Sequence, residues 1–170
     1  MRKEKWKRRR GWIKVHIVVD ADAKSKKLRA MEITDERTGD GKMLKPLLEN
    51  AEKNVGKGKI KRVSADGAYD SKENFEYLEG KGIEPAIKTR KNSSPRARGS
   101  PARAKHVREM KELSYEGWRD KYRYGQRWMA ESFFSGVKRT FGETTRAKSV
   151  EGMFQEVTMK FSFYNALIGL

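Results

Sequence analysis

The chain has 170 residues and a formal net charge of +17, from 40 Lys+Arg against 23 Asp+Glu. It contains no cysteine, which excludes disulfides and thiolate metal sites, and no apolar run approaches the roughly 20 residues of a membrane helix. Four tryptophans give it something to bury, and the expected product is one cytoplasmic, membrane-free domain whose basic surface favours a polyanionic partner.

Residues 2–10 hold seven basic side chains and one acid, Glu4. Trp12–Val19 is rich in β-branched residues and predicts a strand, and Leu28–Thr34 predicts a second. The short polar link between them, with Asp20 and Asp22, makes an antiparallel hairpin. Asp40 is placed to cap a helix to about Asn54, with Met43, Leu44, Leu47, Leu48 and Ala51 on its apolar face. A third strand, Lys59–Ala65, stops at Asp66-Gly67. Asp70 opens a helix through Leu78, with Glu73 placed to complete a capping box. Ile83–Thr89 is the fourth strand. This order of strands and helices predicts an α/β domain.

Residues 88–111 carry nine basic residues and one acid among Ser, Pro and Gly, and predict a mobile, solvated loop. Helical periodicity returns from Tyr122 to Phe141. A last helix is expected from about Val150 to Leu170, with Phe154, Val157, Phe161, Tyr164 and Ile168 as its buried stripe.

The segment from Tyr124 to Lys138 concentrates chemistry. At about 100° per residue from Tyr124, Arg127, Glu131 and Lys138 fall near 300°, 340° and 320°, so the four share one polar face. Met129, Phe133, Phe134 and Val137 fall on the neighbouring apolar stripe, and Trp128 fits neither. The plain reading of Arg127 and Glu131 is an i,i+4 surface pair worth about 0.2–0.5 kcal/mol.

Tyr, two residues, Arg, three residues, Glu, six residues, Lys resembles the signature around the catalytic glutamate of DDE-class insertion-sequence transposases. Tyr124, Arg127, Glu131 and Lys138 match it at every spacing. Val63-Ser-Ala-Asp-Gly-Ala-Tyr-Asp70 resembles the block around that family's second catalytic aspartate, and the resemblance runs from about Trp12 to Leu170. It implies a ribonuclease H-like mixed sheet flanked by helices, and metal-dependent cleavage and transfer of DNA strands at transposon ends. It further implies catalytic and metal-binding roles for Asp66 and Glu131, with Mg²⁺ or Mn²⁺ as cofactor. Tyr124, Arg127 and Lys138 would contact DNA, and the full-length family would act as a nucleoid-associated homodimer on double-stranded DNA.

Asp66 also has a plain reading, as the turn-former of an Asp-Gly pair. Asp70 is explained as a cap, and Asp20 and Asp22 as hairpin-loop residues, the next candidates for the first acid should the isolated chain cleave DNA. A DDE site needs three acids, and in the ribonuclease H-like fold the first lies on a strand preceding the hairpin. The expectation is therefore that residues 1–170 form a partial domain, N-terminally truncated, whose missing first strand carried that Asp, and that the isolated chain is inactive. Two other functions fit the composition: a non-catalytic basic nucleic-acid binder, and a ribonuclease H-like nuclease. A pure binder has no use for Asp66 beside Glu131.

Overall fold

The computed structural model describes residues 13–21, 26–90, 92–96 and 99–169. Trp12, Asp22 and the basic start at 2–10 lie outside these residues.

Strand β1 (Ile13–Val19) pairs antiparallel with β2 (Leu28–Asp35), Ile13 opposite Asp35, with one register slip between Val18 and Val19. The hairpin is the expected one. Both faces of β1 are covered. Ile13, Val15, Ile17 and Val19 join the core beneath the two last helices, while Val18 turns to the first helix with Ala30 of β2.

That helix, α1 (Leu44–Val55), follows a 3₁₀ turn over Asp40–Met43. Asp40 does not cap it: no side chain caps either segment, and the Asp40 carboxylate instead takes the Lys14 ammonium at 3.3 Å. The sequence pattern could not foresee a competing cation 26 positions away. Leu44 and Leu48 of α1 face one core, and Leu47 and Ala51 face another.

Strand β3 (Arg62–Ala65), helix α2 (Lys72–Gly80) and strand β4 (Glu84–Ile87) form a parallel βαβ unit, with Arg62 opposite Glu84. The cap of α2 is Ser71, whose hydroxyl accepts from the Asn74 amide at 3.2 Å, so the Asp70–Glu73 assignment is one residue early. Asp70 has a larger task. Its fully buried carboxylate accepts two bonds from Arg103, at 2.7 and 2.9 Å, and one from the Arg90 amide at 3.3 Å.

Arg103 belongs to α3 (Pro101–Glu112), which is followed by α4 (Ser114–Lys121). The expected loop over 88–111 is thus corrected: its second half is helical. Pro101 sits at the first helical position, where its missing N–H costs nothing. Ala104 and Val107 then fall on one buried face, with most of the charge turned outward. Counting charge hid a weak but sufficient apolar stripe.

Helix α5 (Trp128–Phe141) buries Met129, Phe133 and Val137, as its periodicity predicts, and leaves Trp128 about half exposed. Helix α6 (Val150–Leu167) buries Val157 and Phe161 against α5, with Tyr164 and Ile168 partly covered. The layers are α5 and α6 on one side of the hairpin and α1 on the other, with α2, α3 and α4 around β3 and β4.

The expected single mixed sheet is not continuous. Among the described residues there are two two-stranded sheets, β1–β2 and β3–β4. α1 packs on both, and a cleft of about 630 Å³ opens between them.

Candidate active site

Asp66 stands at the carboxyl end of β3, the end of a parallel strand where α/β domains collect ligands. It caps the 3₁₀ turn Gly67–Tyr69, accepting from the Ala68 amide at 2.9 Å through Oδ1. Among the described residues its second oxygen has no hydrogen-bond partner. Gly67 follows for steric reasons, since a Cβ there would come within 3.2 Å of the Lys88 carbonyl oxygen. The turn explains one carboxylate oxygen and leaves the other free.

Glu131 lies in the first turn of α5, where a carboxylate complements the helix dipole. Arg127 Nη2 approaches its Oε1 at 2.5 Å. Their side chains are 37% and 60% exposed, so solvent screening holds this bond to the few tenths of a kcal/mol of a surface pair. A weak partner is one the carboxylate can exchange for another ligand. Asp66, Arg127 and Glu131 all line the cleft between the sheets, together with Asp20, Arg123 and Gln126.

The expected four-residue face is only partly formed. Tyr124–Arg127 is a 3₁₀ turn, entered through Arg123 in the left-handed region at φ 49°, and the α-helix starts only at Trp128. The tighter turn takes Tyr124 off the polar face and into an aromatic cluster, 4.8 Å from the Trp118 ring. Burial pushes the Tyr124 hydroxyl above its usual pKa range; Arg127 opposes that rise, and Asp66 and Glu131 add to it. Both acids therefore act on one hydroxyl. Arg127 also lies 5.9 Å from the Tyr124 ring, so the tyrosine is a platform beneath the arginine.

Lys138 is seven residues beyond Glu131, about 10 Å along the helix. It does not line the cleft, and its nearest acid is Glu143 at 3.5 Å.

Asp20 also lines this cleft, paired with Arg29 at 2.5 Å. Sequence reading made it a loop residue. Its signal was position, at the end of a strand that proves to border the cleft. Arg123 carried no periodic signal at all, because it occupies the break between two helical segments. Among the described residues, no three His, Asp or Glu side chains group closely enough to share a metal ion.

Compared with known families, residues 2–166 match the sequence model described as "Transposase DDE domain". No curated protein and no solved structure matches the chain.

Proposed function

Because the chain belongs to the transposase DDE-domain family, we propose that it is a ribonuclease H-like catalytic domain, partial in extent, that cleaves and joins DNA strands at transposon ends. The observation that carries this reading is that Asp66 and Glu131, 65 positions apart in sequence, line one cleft with Arg127 at its wall. Neither a turn-former nor a surface ion pair requires that both line the same cleft.

The donor set suits a hard divalent cation. Asp66 and Glu131 offer carboxylate oxygens, one of them unpartnered, and Mg²⁺ or Mn²⁺ prefers such ligands and retains several waters. When bound, such an ion lowers the pKa of an attacking water or hydroxyl and stabilises the leaving oxygen. The chain's own residues do the rest. Arg127, released from Glu131, presents its planar fork to a phosphate. Tyr124 fixes the height of that fork from below. Lys138, lying beyond the cleft, acts as a point charge on DNA further along the duplex.

The third acid of a DDE site is not part of any three-acid group among the described residues. The same reading therefore has an upstream segment supplying it, and has the isolated chain bind DNA without cleaving it. In the full-length family, a homodimer would hold two double-stranded ends.

Mn²⁺ titration tests the assignment without relying on turnover. Paramagnetic broadening is expected first at the amides around Asp66 and Glu131, and is lost in Asp66→Ala. Broadening that begins elsewhere, or that survives both Asp66→Ala and Glu131→Ala, overturns the catalytic assignment and leaves a basic nucleic-acid binder. Such a binder would keep its DNA affinity in both variants.

A further inference from the structure

The tyrosine platform beneath Arg127 has a counterpart beyond β4. Lys88, the first residue after that strand, holds its ammonium 4.8 Å from the centre of the Tyr115 ring. Tyr115 stacks on Trp118, with ring centres 6.2 Å apart and planes inclined by 28°, and Trp118 lies 4.8 Å from Tyr124. Lys88, Tyr115, Trp118, Tyr124 and Arg127 therefore form one column, three rings with a cation at each end. Its middle is fixed, because Trp118 is fully buried and packs with Tyr124 against Ala86 of β4. Its far end faces water: Tyr115 is 43% exposed, and Lys88 is exposed with no ion pair among the described residues. Both tyrosines are set in place in the same way. Each directly follows a non-glycine residue in the left-handed region, Ser114 at φ 60° and Arg123 at φ 49°, two of the three such residues among those described. Such backbone is unfavourable and collects at functional sites.

We propose that Lys88, seated on Tyr115, is a second phosphate-binding position, which holds the DNA backbone on the β4 side of Asp66 while Arg127 holds it on the cleft side. The backbone ties Lys88 to the acid. Its amide donates to the Ala65 carbonyl at 3.4 Å, and its own carbonyl oxygen is the atom that a Cβ on Gly67 would meet. Lys88 is thus pinned to the residues on either side of Asp66. Strand β3 borders the cleft and β4 does not, so the two cations approach Asp66 from different sides. A lysine is a point charge on a flexible stem. The Tyr115 ring restrains that stem before DNA arrives, so less side-chain freedom is lost on binding. With a second fixed point the duplex cannot pivot about Arg127, and the phosphate between the two is kept at the carboxylates. Lys88 is the contact in this assignment, and Tyr115 is a positioning residue that acts through it. The proposal rests on reading the Asp66–Glu131 cleft as a DNA site.

The test is a salt titration of the full chain with a short fluorescein-labelled DNA duplex, read by anisotropy between about 50 and about 200 mM NaCl. Lys88→Ala should weaken binding roughly tenfold at the low end and reduce the slope of log K against log salt by about 1. Lys59→Ala removes the same charge from an exposed site at the opposite end of β3 and should change the slope much less. Lys88→Arg should restore the slope. Tyr115→Phe should bind as the wild type does, whereas Tyr115→Leu should keep the slope and lose about threefold in affinity, because the charge remains and its seat does not. Equal effects of Lys88→Ala and Lys59→Ala overturn the proposal, since the general field of the protein then explains both. Tyr115→Leu binding like the wild type overturns the role of the ring. Arg127→Ala separates the two readings. If it lowers the slope while Lys88→Ala only matches Lys59→Ala, the cleft still binds DNA and this proposal alone falls. An unchanged slope in Arg127→Ala removes DNA from the cleft and overturns both.

Discussion

Gly136 shows how narrowly a single residue can be constrained. It lies on the face of α5 that meets α6, and a Cβ added there would land on the Tyr164 hydroxyl and ring carbon. The ring is held edge-on to Phe133 at 5.0 Å, so it has little room to retreat. Gly136→Ala should therefore destabilise the protein by about 1–3 kcal/mol, although alanine is the better helix former. A urea midpoint at or above that of the wild type would show that the two helices are not packed as described. Asp70 makes the same point with charge. Asp70→Asn leaves Arg103, itself mostly buried, without its counter-ion, and a loss of about 3 kcal/mol is expected, near the low end for a broken buried pair. Thermal unfolding measures it, and Asp70→Asn combined with Arg103→Met should recover a large part.

Elements carry their own pH dependence. The start of α6 is tied to the preceding loop by Glu156, which pairs with Lys160 at 2.9 Å and accepts from the Ala147 and Arg146 amides. The Lys160 contact and then the two amides hold its carboxyl at about 2, against an ordinary 4.5. A lowered carboxyl favours the folded state above the unfolded value, and that contribution disappears as pH falls from about 4.5 to about 2. Urea midpoints between pH 5 and 2 should therefore fall less steeply in Glu156→Gln than in the wild type. Helix α3 responds in a higher window. His106 is buried among Phe75, Trp118 and Tyr122, with its Nε2 3.0 Å from the Ile87 carbonyl oxygen. Burial lowers its pKa from 6.5, so below that value the unfolded chain binds a proton that the folded chain refuses. Stability should decline as pH drops below about 6.5, and His106→Gln should flatten that part of the curve. His16, also lowered chiefly by burial, adds in the same direction.

At the scale of the whole molecule the dominant quantity is charge. A net +17 on 170 residues gives a field that attracts a phosphate backbone without reading its bases. If six cations meet phosphates on duplex DNA, log K should fall against log salt with a slope of about −5. A flat salt response in a fluorescence-anisotropy titration would remove DNA as the partner. The helical half of 88–111 sharpens this expectation: α3 fixes Lys105, Arg108 and Lys111 on a rigid element, so less chain entropy is lost when they bind.

Most element types could be read directly from the order of residues, helices α3 and α4 excepted. The β-branched run of β1, the spacing of Leu44, Leu47, Leu48 and Ala51, and the stripe of α5 each record apolar surface that must leave water, and local pattern suffices for that. The resemblance likewise singled out Asp66 and Glu131 as members of one site, a pairing that periodicity alone does not contain. What periodicity cannot encode is competition between distant groups. Asp40 chose Lys14 over a helix end, and Asp70 chose Arg103 over a cap. Tyr124 left its polar neighbours for the Trp118 ring, because burying an aromatic face outweighs continuing a helix by one turn. A missing strand is an expectation of the sequence, but the place where the sheets part, between β1 and β3, is decided by the tertiary structure, since edges without a backbone partner among the described residues show only when both are brought to the same cleft.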